Sequence, residues 1–380
     1  MAIYLTLALT LFSGTSLKAS QVLLSLYALH LGAQPFAIGI LAATYSAFPM
    51  LLSWQVGRLA DRFGSRWQIM FGAVCGACGM LIPYYLPVLP AMYIAAAMNG
   101  LLHASSGVCL QNVVGLLSSS QNRSRNFSNY SLITSATGFL GPLLAGFSID
   151  HSGHAMACLY LVLLALVLVV ILSVWGGALP KGTRAAAHQG GIRDLLTGAG
   201  LWKVLITSSL VITGIDLFQF YMPIYGHGVG LSASAIGVVI AMFAVAAFVV
   251  RLIIPFLIAR LGEEKVLVYS FFIGAGSLML VPFFKSAAVL AVVSFVFGLG
   301  MGCGQPITIM MTFSNAAEGR SGEAMGLRVT VNHLTRVVVP IVFGSIGSMF
   351  GLFPVFWVNA LLLASGGTVA KPGPISRKRV

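Results

Sequence analysis

The stretch GRLADRFGSR, Gly57–Arg66, places three arginines, one aspartate and two glycines between two long apolar runs. The run before it covers residues 36–56, and the run after it covers 67–87. Each run has about the 20 apolar residues that a helix needs to cross the hydrocarbon core of a bilayer. A charged turn between two such runs indicates two membrane helices joined at the membrane surface.

The rest of the chain has the same character. Of its 380 residues, 58% are hydrophobic and 8% are charged, and its mean hydropathy is +0.97, which is more apolar than the core of a soluble domain requires. The first apolar run has no basic leader and is too long for a signal-peptide core, so we expect it to be retained. Twelve segments of spanning length are predicted, at 3–31, 36–56, 67–87, 90–117, 126–149, 155–178, 201–225, 234–258, 266–284, 287–313, 323–348 and 350–369.

The positive charges predict the orientation of these segments. The formal net charge is +13, yet sixteen lysines and arginines fall in loops on one side of the predicted membrane, and Lys285 alone falls on the other. Because such residues near helix ends resist translocation, we expect a multi-pass protein of the cell membrane with both termini in the cytoplasm. The five cysteines fall inside predicted spans, where thiols usually pack as small apolar groups, so we expect no disulfide, metal or cofactor.

A shift of 198 residues superposes the second half of the chain on the first. It places Arg62-Phe63-Gly64 on Arg260-Leu261-Gly262 and Gly100 on Gly298, without a gap. A constant offset indicates duplication, and repeats of six helices are one way in which secondary transporters are built. The predicted organisation is a six-helix bundle at 1–178, a cytoplasmic linker at 179–200, a second six-helix bundle at 201–370 and a basic cytoplasmic tail at 371–380.

The decapeptide resembles the signature of the loop between helices 2 and 3 of major facilitator superfamily transporters, G-x-L-a-D-r-x-G-r/k-r/k. The matching positions are Gly57, Leu59, Asp61, Arg62, Gly64 and Arg66. The resemblance implies an all-α integral membrane fold of twelve helices in two pseudo-symmetric bundles. It also implies that Asp61 is a latch that holds the bundles together on the inner side; the alternative is a loop that only sets topology. Ala259 stands at the equivalent position of the second half, so one strong latch is expected.

Helix 5 carries GFLGPLLAG, which resembles the antiporter signature of the same superfamily at Gly141, Pro142 and Gly146. The resemblance implies export coupled to protons. Small residues and a proline also allow a close, bent helix crossing, which explains the motif without any transport role. The arginine that the superfamily has in helix 4 is absent, since Ala96 stands there, and this weakens the case for proton-coupled drug export.

Charged residues within the predicted spans are the best functional clues, because a charge at membrane depth costs a few kcal/mol or more and therefore normally faces a partner or water. The 198-residue shift relates Lys18 to Asp216, and we expect the two to face each other, either as a gate or proton-sensitive pair or as a fixed bridge between bundles. Arg251, Arg328 and Arg336 add further positive charge, and this excess favours an anionic substrate, since guanidinium groups bind carboxylate or phosphate in a fork. The alternative is that these arginines bond carbonyl groups and helix ends.

Uncharged polar residues complete the predicted site. Asn99 and His103 share a helix face, and His103 is either a proton carrier or a hydrogen bonder in helix packing. The predicted substrate-binding set is Lys18, Asn99, His103, Arg251, Gln305, Asn332 and Arg336, and the predicted coupling or gating set is Asp216, Lys18, Asp61 and Arg62.

These features predict a secondary active transporter that works by alternating access. The expected cargo is a small organic anion or amphipathic acid, moved with protons, and the alternative is a drug/proton antiporter of the multidrug type. The run GLGMGCGQP lacks the preceding strand and the lysine of a P-loop, so ATP is not expected to drive transport. The sequence also lacks the convergent groups of an enzyme, and we expect a monomer in lipid that binds no nucleic acid.

Overall fold

The computed structural model describes residues 2–33, 35–182 and 200–370, apart from the side chains of residues 35, 36, 38, 39, 42, 233, 234, 340, 341, 344–348, 350 and 352. Most of the predicted linker and the whole predicted tail, 371–380, lie outside the described residues.

The described residues form long helices that coincide with the predicted spans. Two predicted spans, 126–149 and 155–178, run together as α5, whose backbone leaves helical geometry at Gly153, with φ 77° and ψ 168°. The predicted span 287–313 is divided into α9 and α10. The helices are α1 Ala2–His30, α2 Pro35–Phe63, α3 Ser65–Tyr85, α4 Leu89–Leu116, α5 Arg123–Trp175, α6 Leu201–Gly228, α7 Ala233–Leu261, α8 Glu263–Leu280, α9 Ala287–Met301, α10 Gly304–Ser314, α11 Ser321–Phe350 and α12 Leu352–Val369.

The helices have the length and composition of membrane spans. Within the part of the chain that the structure describes, seven helical stretches are long and apolar enough to cross a membrane, and α5 and the stretch Ala287–Ser314 are among them. The expected class, an all-α integral membrane protein, is confirmed.

The duplication is visible in the backbone. A shift of 198 residues maps α2 onto α7 with no offset at either end. Helix boundaries also recur at glycines with positive φ, a conformation that side chains other than that of glycine rarely adopt. The related pairs are Gly32 (81°) with Gly230 (84°), Gly64 (86°) with Gly262 (82°), and Gly153 (77°) with Gly351 (83°).

One helix crossing is repeated as well. A Cβ atom added to Gly100 of α4 would lie 3.3 Å from the carbonyl oxygen of Tyr45, and one added to Gly298 of α9 would lie 2.5 Å from that of Phe243. Tyr45 and Phe243 are themselves 198 positions apart. The same close approach of two helices therefore occurs in both halves, with no room for a side chain at Gly298 and little room for one at Gly100.

The chain forms two compact units, and α11 is divided between them. The first contains the described residues up to 182 together with Ala316–His333, and the second contains the described residues of 200–315 together with those from 334 onward. The first therefore includes the opening turns of a helix from the second half of the sequence. The predicted bundles, 1–178 and 201–370, follow the duplication, and those boundaries stay a prediction.

Candidate functional site

The decapeptide brings α2 into backbone contact with α11 inside the first unit. A Cβ atom added to Gly57 would overlap the carbonyl oxygen of Gly322, and one added to Gly326 would overlap that of Ser53. Such an approach is possible because glycine has no side chain. The two helices therefore touch along more than one turn, from Ser53 to Asp61 on α2.

Asp61 lies at the end of this contact and caps α11. Its Oδ1 accepts a hydrogen bond from the backbone N–H of Gly322 at 2.8 Å, and its Oδ2 accepts one from the N–H of Glu323 at 2.9 Å. The first N–H groups of a helix lack partners within the helix and carry partial positive charge, so a carboxylate is favoured there. The predicted latch residue thus binds one helix end through both of its oxygens.

Polar side chains from α4 and α2 extend this contact. The Asn112 amide donates to Asp61 Oδ1 at 3.3 Å and accepts from the hydroxyl of Ser321 at 2.6 Å. Glu323 accepts from the indole N–H of Trp54 at 3.0 Å and from Arg320 at 2.6 Å. The beginning of α11 is therefore held by side chains of α2 and α4, and its own buried carboxylate is paired.

The protonation of Asp61 depends on this environment. Asp61 lies beyond the predicted span 36–56, at the membrane surface. Burial raises the pKa of its carboxyl from 3.8 to about 6, against the opposing effect of the hydrogen bonds from Glu323, Gly322 and Asn112. The contact therefore contains a group that gains or loses a proton near neutral pH.

The remaining motif residues shape the turn between α2 and α3. Gly64 has φ 86° and precedes α3, and a Cβ atom there would lie 3.0 Å from the backbone nitrogen of Gly182. Arg62 is exposed, with its guanidinium 4.9 Å from the centre of the Phe63 ring. Arg66 donates to the carbonyl of Ser173 at 3.1 Å. Arg66 therefore holds the turn against the end of α5, and Gly64 lets the turn pack against the residues at 180–182 that follow α5.

A second polar site lies in the second unit, between α6 and α11. Asp216 accepts a hydrogen bond from Arg336 at 2.8 Å, and the two side chains are 36% and 40% exposed. Both line a cavity of about 140 Å³. The other lining side chains are largely apolar, namely Ile212, Thr213, Leu217, Phe220, Thr335 and Val339. The site can therefore present one positive and one negative group to a ligand with an apolar body.

Lys18 lies in the first unit, so its predicted pairing with Asp216 joins different units and stays a prediction. It is exposed, and its Nζ donates to Gln21 at 3.4 Å. A Cβ atom added to Gly141 of α5 would overlap the Lys18 side chain, whereas Gly146 has nothing within 4 Å of such an atom. The antiporter-like motif thus brings α5 against α1 at Gly141 and not at Gly146. Pro142 is exposed within α5.

Two predicted cations bond to protein acceptors. Arg251 is half-buried and donates to the carbonyl of Gly302 at 3.4 Å. Arg328 is buried and donates to Gln111 of α4. These contacts fit the alternative in which arginines support helix packing, and they leave Arg336 as the arginine placed in the cavity.

The polar residues of α4, α10 and α11 occupy different places. Asn99 is fully buried against Gly76 and Gly79 of α3, and its amide donates to Ala95 at 2.9 Å. Asn332 is buried in the first unit, and Gln305 is half-buried in the second. Their predicted contact with substrate stays a prediction.

His103 of α4 contacts His333 of α11, a residue to which the sequence assigned no role. Its ring stands edge-on to the ring of His333, with centroids 5.2 Å apart and planes at 79°. His333 is 4% exposed, and His103 is half-buried. Both belong to the first unit.

The family model of the Major Facilitator Superfamily matches residues 6–340 and 226–376. The chain belongs to this superfamily. The quinolone resistance protein NorA of Staphylococcus aureus is 25% identical over 351 residues, which cover 90% of this chain and 88% of NorA. The crystal structure of the human organic anion transporter MFSD10 matches with a TM-score of 0.79 at 15% identity, over 97% of this chain and 98% of that one. The Escherichia coli fucose:proton symporter FucP matches with a TM-score of 0.81 at 13% identity, over 97% of each chain.

Membership of the major facilitator superfamily makes the chain a multi-pass membrane transporter of small molecules, as expected. The matches to MFSD10 and FucP show the fold alone. The superfamily motif led to Asp61 and Gly57 but not to their partners Asn112 and Gly322, because a lone asparagine and one of 43 glycines give no distinctive signal in the sequence.

Proposed function

We propose that this superfamily member couples the movement of protons to the movement of a small organic anion with an apolar body. The observation that carries the proposal is the Asp216–Arg336 ion pair, which joins α6 to α11 at 2.8 Å and lines a largely apolar cavity. An aromatic or aliphatic acid has the matching chemistry, since its apolar part fits the cavity and its anionic group fits the guanidinium.

The balance of charge at Asp216 and Arg336 couples the binding of the anion to the binding of a proton. The empty pair is neutral, and an anion that binds Arg336 takes the place of Asp216 as its partner. Asp216 is then left as an uncompensated charge at membrane depth, which is costly. A proton on Asp216 removes that charge, so the anion and the proton bind together. Loss of the proton restores the ion pair and expels the anion.

The alternative is the proton-coupled export of lipophilic drugs. It is supported by the similarity to NorA over 90% of the chain and by the helix 5 motif. In this alternative a cationic drug displaces Arg336 as the partner of Asp216. A proton competes with the drug for the same carboxylate. Proton and drug would then move in opposite directions.

The two functions are separated by transport assays in proteoliposomes with an imposed pH gradient. The probes are benzenesulfonate, which is permanently anionic, its neutral analogue benzenesulfonamide, and the lipophilic cation rhodamine 6G. R336Q is expected to weaken benzenesulfonate binding about tenfold or more, because a hydrogen bond to a charged group contributes about 1.5–3 kcal/mol. Binding of benzenesulfonamide should stay unchanged, and equal losses for both probes would make Arg336 a structural residue.

D216N is expected to abolish benzenesulfonate accumulation driven by the gradient while exchange of labelled for unlabelled anion continues, since an amide cannot take the coupling proton. D150N and R260Q change exposed residues of the same types and serve as matched controls. Gradient-driven movement of rhodamine 6G, lost in D216N, with no movement of benzenesulfonate would establish the drug export alternative instead.

A further inference from the structure

We propose that His103 and His333 together form a site that binds one proton in the middle of the membrane, separate from the Asp216–Arg336 pair. No motif marks this site, and the transport mechanism above does not use it. It goes beyond the proposed function, because it concerns proton binding by the protein without substrate.

The depth of the two residues is the first support. His103 is near the centre of the predicted span 90–117, and His333 is ten residues into the span 323–348. At 1.5 Å per residue, His333 is about 15 Å along its span, roughly half the thickness of the hydrocarbon core. Histidine is the side chain whose ordinary titration range lies nearest neutral pH, so an imidazole pair at this depth is suited to carry a proton.

The ring geometry is the second support. The rings meet edge to face, with centroids 5.2 Å apart and planes at 79°. The edge of an aromatic ring is its positive part and the face is its negative part. A proton on the ring that presents its edge strengthens this contact, whereas a proton on each ring brings two positive charges together. The geometry therefore favours one proton per pair and opposes the second.

The charged groups around the histidine pair also oppose a second proton. α1, α2, α3 and α5 pack against α4, and Arg328 lies on α11 itself, five residues before His333. The described carboxylates of this unit belong to Asp61, Asp150, Glu318 and Glu323, which lie at the ends of the predicted spans or outside them. The ionisable groups within the predicted spans of the helices packed on α4 include Lys18 and Tyr27 on α1, Tyr45 on α2, Cys75 and Cys78 on α3, and Tyr130 and Cys158 on α5.

Lys18 and Arg328 are cations, and no described carboxylate of the first unit lies in the middle of a span. The pair therefore accepts its proton in a positive environment, which makes a second proton still less favourable. A pair that binds no more than one proton among fixed positive charges suits an exchangeable proton rather than a fixed structural charge.

The test is a histidine-selective ¹⁵N NMR titration of the full-length protein in lipid nanodiscs, without substrate. The chain has seven histidines, and H103Q and H333Q assign the two resonances. We expect the wild-type pair to gain one proton between about pH 5 and 8 in a coupled titration, and we expect the titration midpoint of His103 to move by about one pH unit in H333Q. H151Q changes an exposed histidine and should leave both resonances unaltered.

Independent single-proton curves for the two rings, or an unchanged His103 curve in H333Q, would overturn the shared site, as would the absence of any titration above about pH 4.5. If H333Q does not fold, H103Q gives the same comparison from the His333 resonance. D216N tests whether the sites are separate, and the pair should titrate in that variant as in the wild type. Failure of substrate transport would not affect any of these results.

Discussion

The contact between α2 and α11 should open when Gly326 is replaced by alanine. A Cβ atom at this position would overlap the carbonyl oxygen of Ser53 and lie 2.8 Å from the Cα atom of Trp54. Both obstacles are backbone atoms, so no side chain can turn aside to make room. The two helices must therefore separate by roughly one ångström to reach ordinary van der Waals distance.

The effect on Asp61 follows from that separation. Its hydrogen bonds from Gly322 and Glu323 are 2.8 and 2.9 Å long, and an additional ångström takes both beyond the range of about 2.7–3.2 Å for N–H···O bonds. Each is worth about 1 kcal/mol net, since desolvation of the carboxylate offsets part of the gain. The loss of both costs about 2 kcal/mol, which corresponds to roughly a thirtyfold increase in the open population.

The assay is the rate at which a cysteine at position 53 reacts with a maleimide, in a protein whose five native cysteines have been replaced. Ser53 is fully buried, so labelling requires opening, and its rate follows the open population. Gly276→Ala is the matched control, because it lies within a helix and a Cβ atom there has nothing within 4 Å. Gly326→Ala should label roughly thirty times faster than the control. Equal rates would refute the steric reasoning.

Other substitutions test the same region and the antiporter-like motif. Because the packed contact raises the pKa of Asp61 to about 6 and opening restores its ordinary value, the contact is strongest below about pH 4 and weakens as pH rises through about 6. Thiolate formation makes maleimide labelling faster as pH rises, so the rate at position 53 is divided by that of a freely exposed cysteine at the same pH. The corrected rate should rise through about pH 6, while D61N, which has no proton to lose, should show a flat profile. N112A removes one donor to Asp61, and it should increase labelling by up to about tenfold, the effect of one hydrogen bond of about 0.5–1.5 kcal/mol; an unchanged rate would exclude Asn112 from the contact. Gly141→Ala should lower the melting temperature by several degrees relative to Gly146→Ala, since a Cβ atom meets Lys18 at the first position and nothing at the second; equal melting temperatures would contradict this assignment.

The sequence predicted the helices and the superfamily fold well because both can be recognised from patterns along the chain. Neither requires knowledge of which helices pack against each other. Long apolar runs define spans, and a constant shift of 198 residues defines the duplication. The shift reproduces the ends of α2 and α7 and the positive φ of Gly64 and Gly262. Local geometry of this kind is encoded by the residues that adopt it.

The partners of charged residues could not be predicted in the same way. Asp216 and Arg336 were both marked by their depth, yet their pairing depends on how α6 and α11 are rotated about their axes, which packing decides. Arg328 and Arg336 share a helical stripe, but the first bonds to Gln111 in one unit and the second lies in the other. A stripe gives the direction of a side chain relative to its own helix and leaves the facing helix undetermined.

The two halves share backbone geometry, but the side chains that form the Asp61 contact have no equivalents in the other half. The position equivalent to Asp61 is Ala259, and the position equivalent to Gly326 is Ser128. A symmetry-related contact would therefore lack both the carboxylate that caps a helix end and the glycine that lets two backbones touch. The cap on the end of α11 is therefore a feature of one side chain and not of the duplicated backbone. The expectation of a single strong latch at Asp61 stays a prediction, and the absence of a carboxylate at position 259 is the reason to expect only one.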